Sequence, residues 1–272
     1  MSAEASPRPL AVGRAPGLSA VVSSEWTKLR SVRSTVWALL ALVVVSVAFS
    51  ALLSLATVIT IDQLPAAERA AFDPTRTSLG GIALGQLAIA VLGVMVITSE
   101  FSTGSIRTSL VALPRRWQLV VGKAIAFSLV ALLVGTATSL LSFLVGQALL
   151  ASADLDTALS EPGVLRAVLG GGLYLWGSGM FGLALGTLLR HTAGGIVAAV
   201  AGLLVLPGLT QLLPGTWGDA VSRWSVSNPG QQIMSAQTPP DAVGPWSGYL
   251  AFTAWWLVPL LLGVLVLQRR DA

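Results

Sequence analysis

EFSTGSIRTSLVALPRR, residues 100–116, is the densest polar run between the long apolar blocks of this sequence. One uncharged block stops at Glu100 and another begins after Lys123, so the run marks where the chain leaves a membrane and re-enters it from the same side. Within it, Ser102 or Thr103 can cap a helix N-terminus. Ile106, Leu110 and Leu113 then recur at i, i+4 and i+7, an apolar stripe beside Arg107, Thr108 and Ser109. Pro114 ends that helix. The expected product is a short amphipathic helix on a membrane surface, with Glu100 on one flank and Arg115, Arg116 and Lys123 on the other. Such a helix suits docking against another protein and has nothing of a catalytic site about it.

Outward from that loop, the composition is that of a polytopic membrane protein. Of 272 residues, 54% are hydrophobic and 10% charged, with a mean hydropathy of +0.79; soluble domains carry about 25% charged residues. A spanning helix needs about 20 apolar residues, and six uncharged intervals are long enough: 34–61, 77–99, 124–153, 167–189, 192–218 and 242–268. The spans are expected near 36–60, 79–99, 122–150, 166–189, 193–213 and 247–268. An even number puts both termini on one side. With the N-terminus inside, 12 of the 16 Lys and Arg residues face the cytoplasm and 8 of the 12 acidic residues face outward, as the positive-inside rule demands.

Residues 1–17 are rich in Pro, Ala and Gly and lack the apolar core of a signal peptide, so a disordered cytoplasmic tail is expected, ahead of a single membrane domain over 18–272. From Leu18 to Ser34 an interfacial helix is expected, with Val22, Trp26 and Leu29 near one face and Lys28 on another; Glu25 and Arg30 belong to it as well. The first span is a plain Leu/Val/Ala block. The second carries Gly80, Gly81, Gly85 and Gly93, and the fourth Gly182-x3-Gly186, small residues that let helices approach closely. Gln86 in the second span needs a partner, either another helix or water. Thr210 is a polar position of the fifth span. Arg190 and His191 mark an inner turn. After Pro207 and Pro214 a long outer segment with Trp217, Trp224 and Trp246 precedes the last span, partly buried near the outer headgroups.

Glu100 poses a separate problem. At the C-terminal end of a span the helix dipole disfavours an anion, so a cation or the free amides of the next helix should hold it. Arg107 can serve only if the chain turns at Gly104, because seven residues of continuous helix rise about 10.5 Å; glycine tolerates such a turn.

Glu100-x3-Gly104-x2-Arg107, followed by Leu110 and the Arg115–Arg116 pair, resembles the first cytoplasmic loop of type-2 ABC transporter permeases. SEWTKLRSVRS before the first span (Ser24 to Ser34), the six spans and the long outer loop before the last one are similar to that family too. The resemblance implies an all-α integral membrane protein with an interfacial helix and a coupling helix between spans two and three. That coupling helix would touch a separate ABC ATPase. The implied function is the permease subunit of an exporter in a prokaryotic plasma membrane, paired with a second copy or a related permease and moving a hydrophobic or amphipathic substrate. Glu100, Gly104, Arg107, Leu110, Arg115 and Arg116 would do the coupling, with ATP and Mg on the partner, and Gln86 and Thr210 would face the transport path, where water or substrate can satisfy them.

The chemistry missing from the chain points the same way. A phosphate-cradling loop reads G-x4-G-K-[ST], but Gly122-Lys123 is followed by Ala124 and position 117 is tryptophan. No cofactor is expected on this chain, no metal cluster with one histidine and no cysteine, and no nucleic-acid partner from a charge of +4 that belongs to loops at a bilayer. Carboxylates are absent from all six expected spans, so nothing obviously couples transport to an ion gradient. The competing reading is a non-transporting membrane assembly or sensor protein on the same scaffold.

Overall fold

The computed structural model describes residues 17–105, 117–237 and 242–269. Every regular element among them is helical. Helix α1 (Leu18–Ser31) leads into α2 (Arg33–Thr60); two short helices, α3 (Ala66–Ala70) and α4 (Pro74–Ser78), precede α5 (Ile82–Thr103). Then come α6 (Trp117–Leu150), α7 (Val164–Leu189), α8 (Thr192–Thr210), α9 (Gly215–Trp224), α10 (Asn228–Gln231) and α11 (Pro245–Arg269). Among the described residues six helices, α2, α5, α6, α7, α8 and α11, are long and apolar enough to cross a membrane. The all-α class with six spans therefore stands. The expected coupling helix lies outside the described residues, together with Arg107, Leu110, Arg115 and Arg116.

The bundle is built around α7. Buried residues make up 78% of its apolar window, against 17% for α2. This places α7 in the middle and α2 at the rim, where Val36, Trp37, Leu40 and Val44 face outward. No hydrophobic force drives helices together within lipid, so close backbone packing must do it. At the α5–α7 crossing a Cβ added to Gly93 would come 2.1 Å from the Gly179 carbonyl oxygen, and one on Gly182 would come 2.0 Å from that of Ala90. No side chain fits there. The two backbones touch because both helices present glycine at the crossing.

Several buried polar groups in the spans bind neighbouring elements. Ser139 Oγ donates to the Val168 carbonyl at 2.6 Å, tying α6 to α7. Gln147 Nε2 donates to Ser78 Oγ at 2.8 Å and to the Pro74 carbonyl at 3.2 Å, while its Oε1 accepts from the Thr157 amide at 2.8 Å. One side chain thus fastens α4 and the loop before α7 to the end of α6. His191 is a turn residue whose Nδ1 accepts from the Gly194 amide at 3.1 Å, capping α8. A π-helical turn over Ala201–Val205 lies just before Pro207, whose ring removes a backbone donor.

The segment after α8 folds back into the bundle. α9 exposes Trp217 and Trp224, whereas Ile233 and Met234 are buried against α7 and α11 and Val226 is buried near Gly202 of α8. Arg166 Nη2, on α7, holds the returning chain through the carbonyls of Ser235 and Ala236 at 3.0 and 3.2 Å.

Candidate functional site

The site lies where α1, the last turn of α5 and the first turns of α6 meet. α1 presents Glu25 and Lys28, one turn apart; α5 presents Glu100; α6 presents Lys123. Lys123 Nζ donates to Glu25 Oε2 and to Glu100 Oε1, each at 2.7 Å. Lys28 Nζ donates to Glu25 Oε1 at 2.7 Å and to Glu100 Oε1 at 2.8 Å. Two ammonium groups and two carboxylates thus close a neutral ring across three helices. The Lys123 side chain is 1% exposed and the Lys28 side chain 48%. Lys123 is the buried hub, and Lys28 reaches in from the surface.

The electrostatics at Lys28 follow from that position. Burial alone would lower its pKa, but the hydrogen bonds and charges of Glu100 and Glu25 outweigh it and hold the ammonium above its usual value. Glu100 Oε2 is buried without a hydrogen-bond partner among the described residues. Glu100 also lines a groove of about 500 Å³ with Lys28, Ser99, Thr103 and Ser105. The ring is a built anchor with one acceptor still unused, at the edge of the segment that runs on to residue 116.

α1 is seated by shape as well as charge. Val21 packs against Gly122, where an added Cβ would come 2.5 Å from Val21 Cγ1. Leu119 and Phe101 complete that contact. Phe101 in turn lies under the Arg190 guanidinium, 5.6 Å from the ring centroid, so the α7–α8 turn joins the same end of the bundle.

Several expected positions come out differently. α5 continues through Thr103, and the hydroxyls of Ser102 and Thr103 donate back to the Ser99 carbonyl, at 3.0 and 2.9 Å; the helix that either was expected to cap lies outside the described residues. Glu100 is therefore inside a spanning helix, and Lys123 is two turns into the next one. The expectation of spans free of carboxylates fails at Glu100, which the bundle tolerates because it is paired. The chain does turn at Gly104, with φ of 72°. The cations on Glu100 among the described residues are Lys28 and Lys123. On α1 the face turned to the protein is Val21 and Glu25, while Val22, Trp26 and Leu29 are half-buried and Arg30 is exposed. Val21 and Glu25 make the contact with the protein, and the apolar stripe read from the sequence is only half-buried by it.

Gln86 is buried in the bundle. Its Nε2 donates to the Ala83 carbonyl at 2.9 Å, and its Oε1 accepts from the Tyr174 hydroxyl. Of the two readings open for Gln86, a bond to another helix is the one seen. Thr210 is half-exposed, and its hydroxyl donates to the Pro207 carbonyl of its own helix at 2.9 Å.

Six apolar helices around a glycine-packed centre, with a charged anchor at one end, define a multi-pass α-helical membrane protein. The family model for ABC-2 family transporter proteins matches residues 19–272, and the chain belongs to that family. No curated protein matches the chain closely enough to count as a relative. Membership implies an ABC ATPase as a partner in general terms.

Proposed function

We propose that this chain is the permease subunit of an ABC exporter, moving a hydrophobic or amphipathic substrate across a prokaryotic plasma membrane on ATP hydrolysed by a separate subunit. Both termini are cytoplasmic. Two copies, or one copy and a related permease, enclose the path; ATP and Mg belong to the partner, and this chain has no ATPase site of its own. The ATPase docks on the loop between α5 and α6, where Arg107, Leu110, Arg115 and Arg116 supply the contact and Gly104 the turn into it.

The observation that carries this reading is the Glu25–Lys28–Glu100–Lys123 ring. A force applied at the loop reaches the spans only if the loop's base is rigid. The ring ties that base, at Glu100, to the foot of the next span at Lys123 and to the surface helix at Glu25. Movement of the docked subunit is then delivered to α1, α5 and α6 together.

Purification of the tagged chain from its native membrane in several mild detergents tests the proposal. An ABC ATPase should accompany it and hydrolyse ATP. Recovery of the intact chain with no ATPase in any of the detergents would overturn the reading.

A further inference from the structure

The end of the bundle opposite the charged ring holds a second feature that the docking function does not use. A cavity of about 560 Å³ is lined by Arg76 of α4 and Arg223 of α9, with Gln211, Gln232 and one carboxylate, Asp219. Neither arginine forms an ion pair among the described residues. Arg166, by contrast, donates through Nη2 to the backbone carbonyls of Ser235 and Ala236. Arg76 also lines an adjoining cavity of about 760 Å³ whose wall includes Leu53, Ala56 and Phe72. That wall belongs partly to α2, the rim helix, so the apolar side opens where lipid lies.

We infer that this is a binding site for an amphiphile with an anionic phosphate or carboxylate head: the head between Arg76 and Arg223, the tail along Leu53, Ala56 and Phe72. Guanidinium forks match such oxyanions in geometry, and in the head cavity two of them face one carboxylate among the described residues, Asp219, which leaves a positive excess there; Asp73, on the wall of the adjoining cavity, is engaged by the Thr75 and Arg76 amides. The amides of Gln211 and Gln232 make no other side-chain bond among the described residues and can donate to the same head. The volumes fall in the range of small-molecule sites, about 300–1,000 Å³. As a statement about cargo the inference rests on the exporter reading; as a statement about binding it does not.

Native mass spectrometry of the full chain in a neutral detergent tests it without any ATPase. The probes are lysophosphatidylglycerol and its zwitterionic counterpart lysophosphatidylcholine, with inorganic phosphate as competitor. The wild type should retain the anionic lipid at least about tenfold better. R76Q/R223Q should lose that preference, and R76K/R223K should keep most of it. Both arginines are exposed, so equal thermal midpoints should show the variants folded. Equal retention of the two lipids by the wild type, or an unchanged preference in R76Q/R223Q, would overturn the site. Displacement by inorganic phosphate at the lipid's own concentration would overturn the amphiphile assignment in favour of a free anion.

Discussion

Replacing Lys123 by methionine removes the hub of the ring and leaves the shape of its stem. Glu25 Oε2 then loses its partner, and Glu100 keeps only Lys28. Removing one member of a buried ion pair costs about 3–5 kcal/mol, because a charge is left without compensation. The interaction docks α1, so the cost should appear as local opening of Leu18–Ser31 rather than as loss of the spans. At about 1.4 kcal/mol per tenfold, backbone amides of α1 should exchange hydrogen roughly 100- to 5,000-fold faster, up to the rate of an undocked surface helix. Lys28→Met is the contrast. That side chain is half-exposed, where an ion pair is worth about 0–1 kcal/mol, so α1 should stay within roughly fivefold of wild type. A third variant, Glu25→Gln/Lys28→Met/Glu100→Gln/Lys123→Met, removes every charge of the ring and should recover much of the protection. Hydrogen exchange followed by mass spectrometry in nanodiscs reads all three. Exchange of α1 in Lys123→Met within a few-fold of wild type would refute the reasoning.

Other consequences are as specific. Gly182→Val places a Cβ on the Ala90 carbonyl and must push α5 from α7, so the protein should lose its monodisperse peak and thermal transition; Gly208→Ala, with nothing within 4 Å, should leave both intact. Because the Lys28 pKa is raised, its contribution to docking is complete below the ordinary lysine value of 10.5 and is lost only as pH climbs through a higher one. The exchange difference between wild type and Lys28→Met should therefore be constant from about pH 6 to 9, a range below that value. A cysteine at Ser160 should react with an impermeant thiol reagent added to intact cells, and one at Ser23 should not; the reverse pattern would invert the orientation.

The spans were legible because a bilayer imposes a length of apolar chain that no soluble core requires, and six such intervals stand out between charges. The glycines of the second and fourth spans were legible for a related reason: close packing is the main attraction open to helices in lipid. The ring was only half legible. Glu100 at a helix C-terminus announced its need for a cation, but Glu25 and Lys123, 98 residues apart, each looked like an ordinary flanking charge. The available signal was Lys123 itself, set in WQLVVGKAIAF with apolar neighbours on both sides. A lysine so placed must find anions or stay out of the helix. The contact that α1 makes through Val21 and Glu25 was not legible, because periodicity shows which face is apolar without showing what covers each face. Likewise nothing local to Gln86 selects Tyr174, 88 residues away, over water.

The central claim is that the ring end of the bundle receives the ATPase and transmits its work. The most direct measurement is the ATP hydrolysis rate of the co-purified ATPase in nanodiscs, with wild-type chain and with Glu100→Ala or Gly104→Val at equal membrane levels. The account predicts that wild type changes the partner's rate and supports export. Both variants should insert and fold yet leave the partner at its isolated rate, with export lost. Wild-type hydrolysis and export from both variants would contradict it.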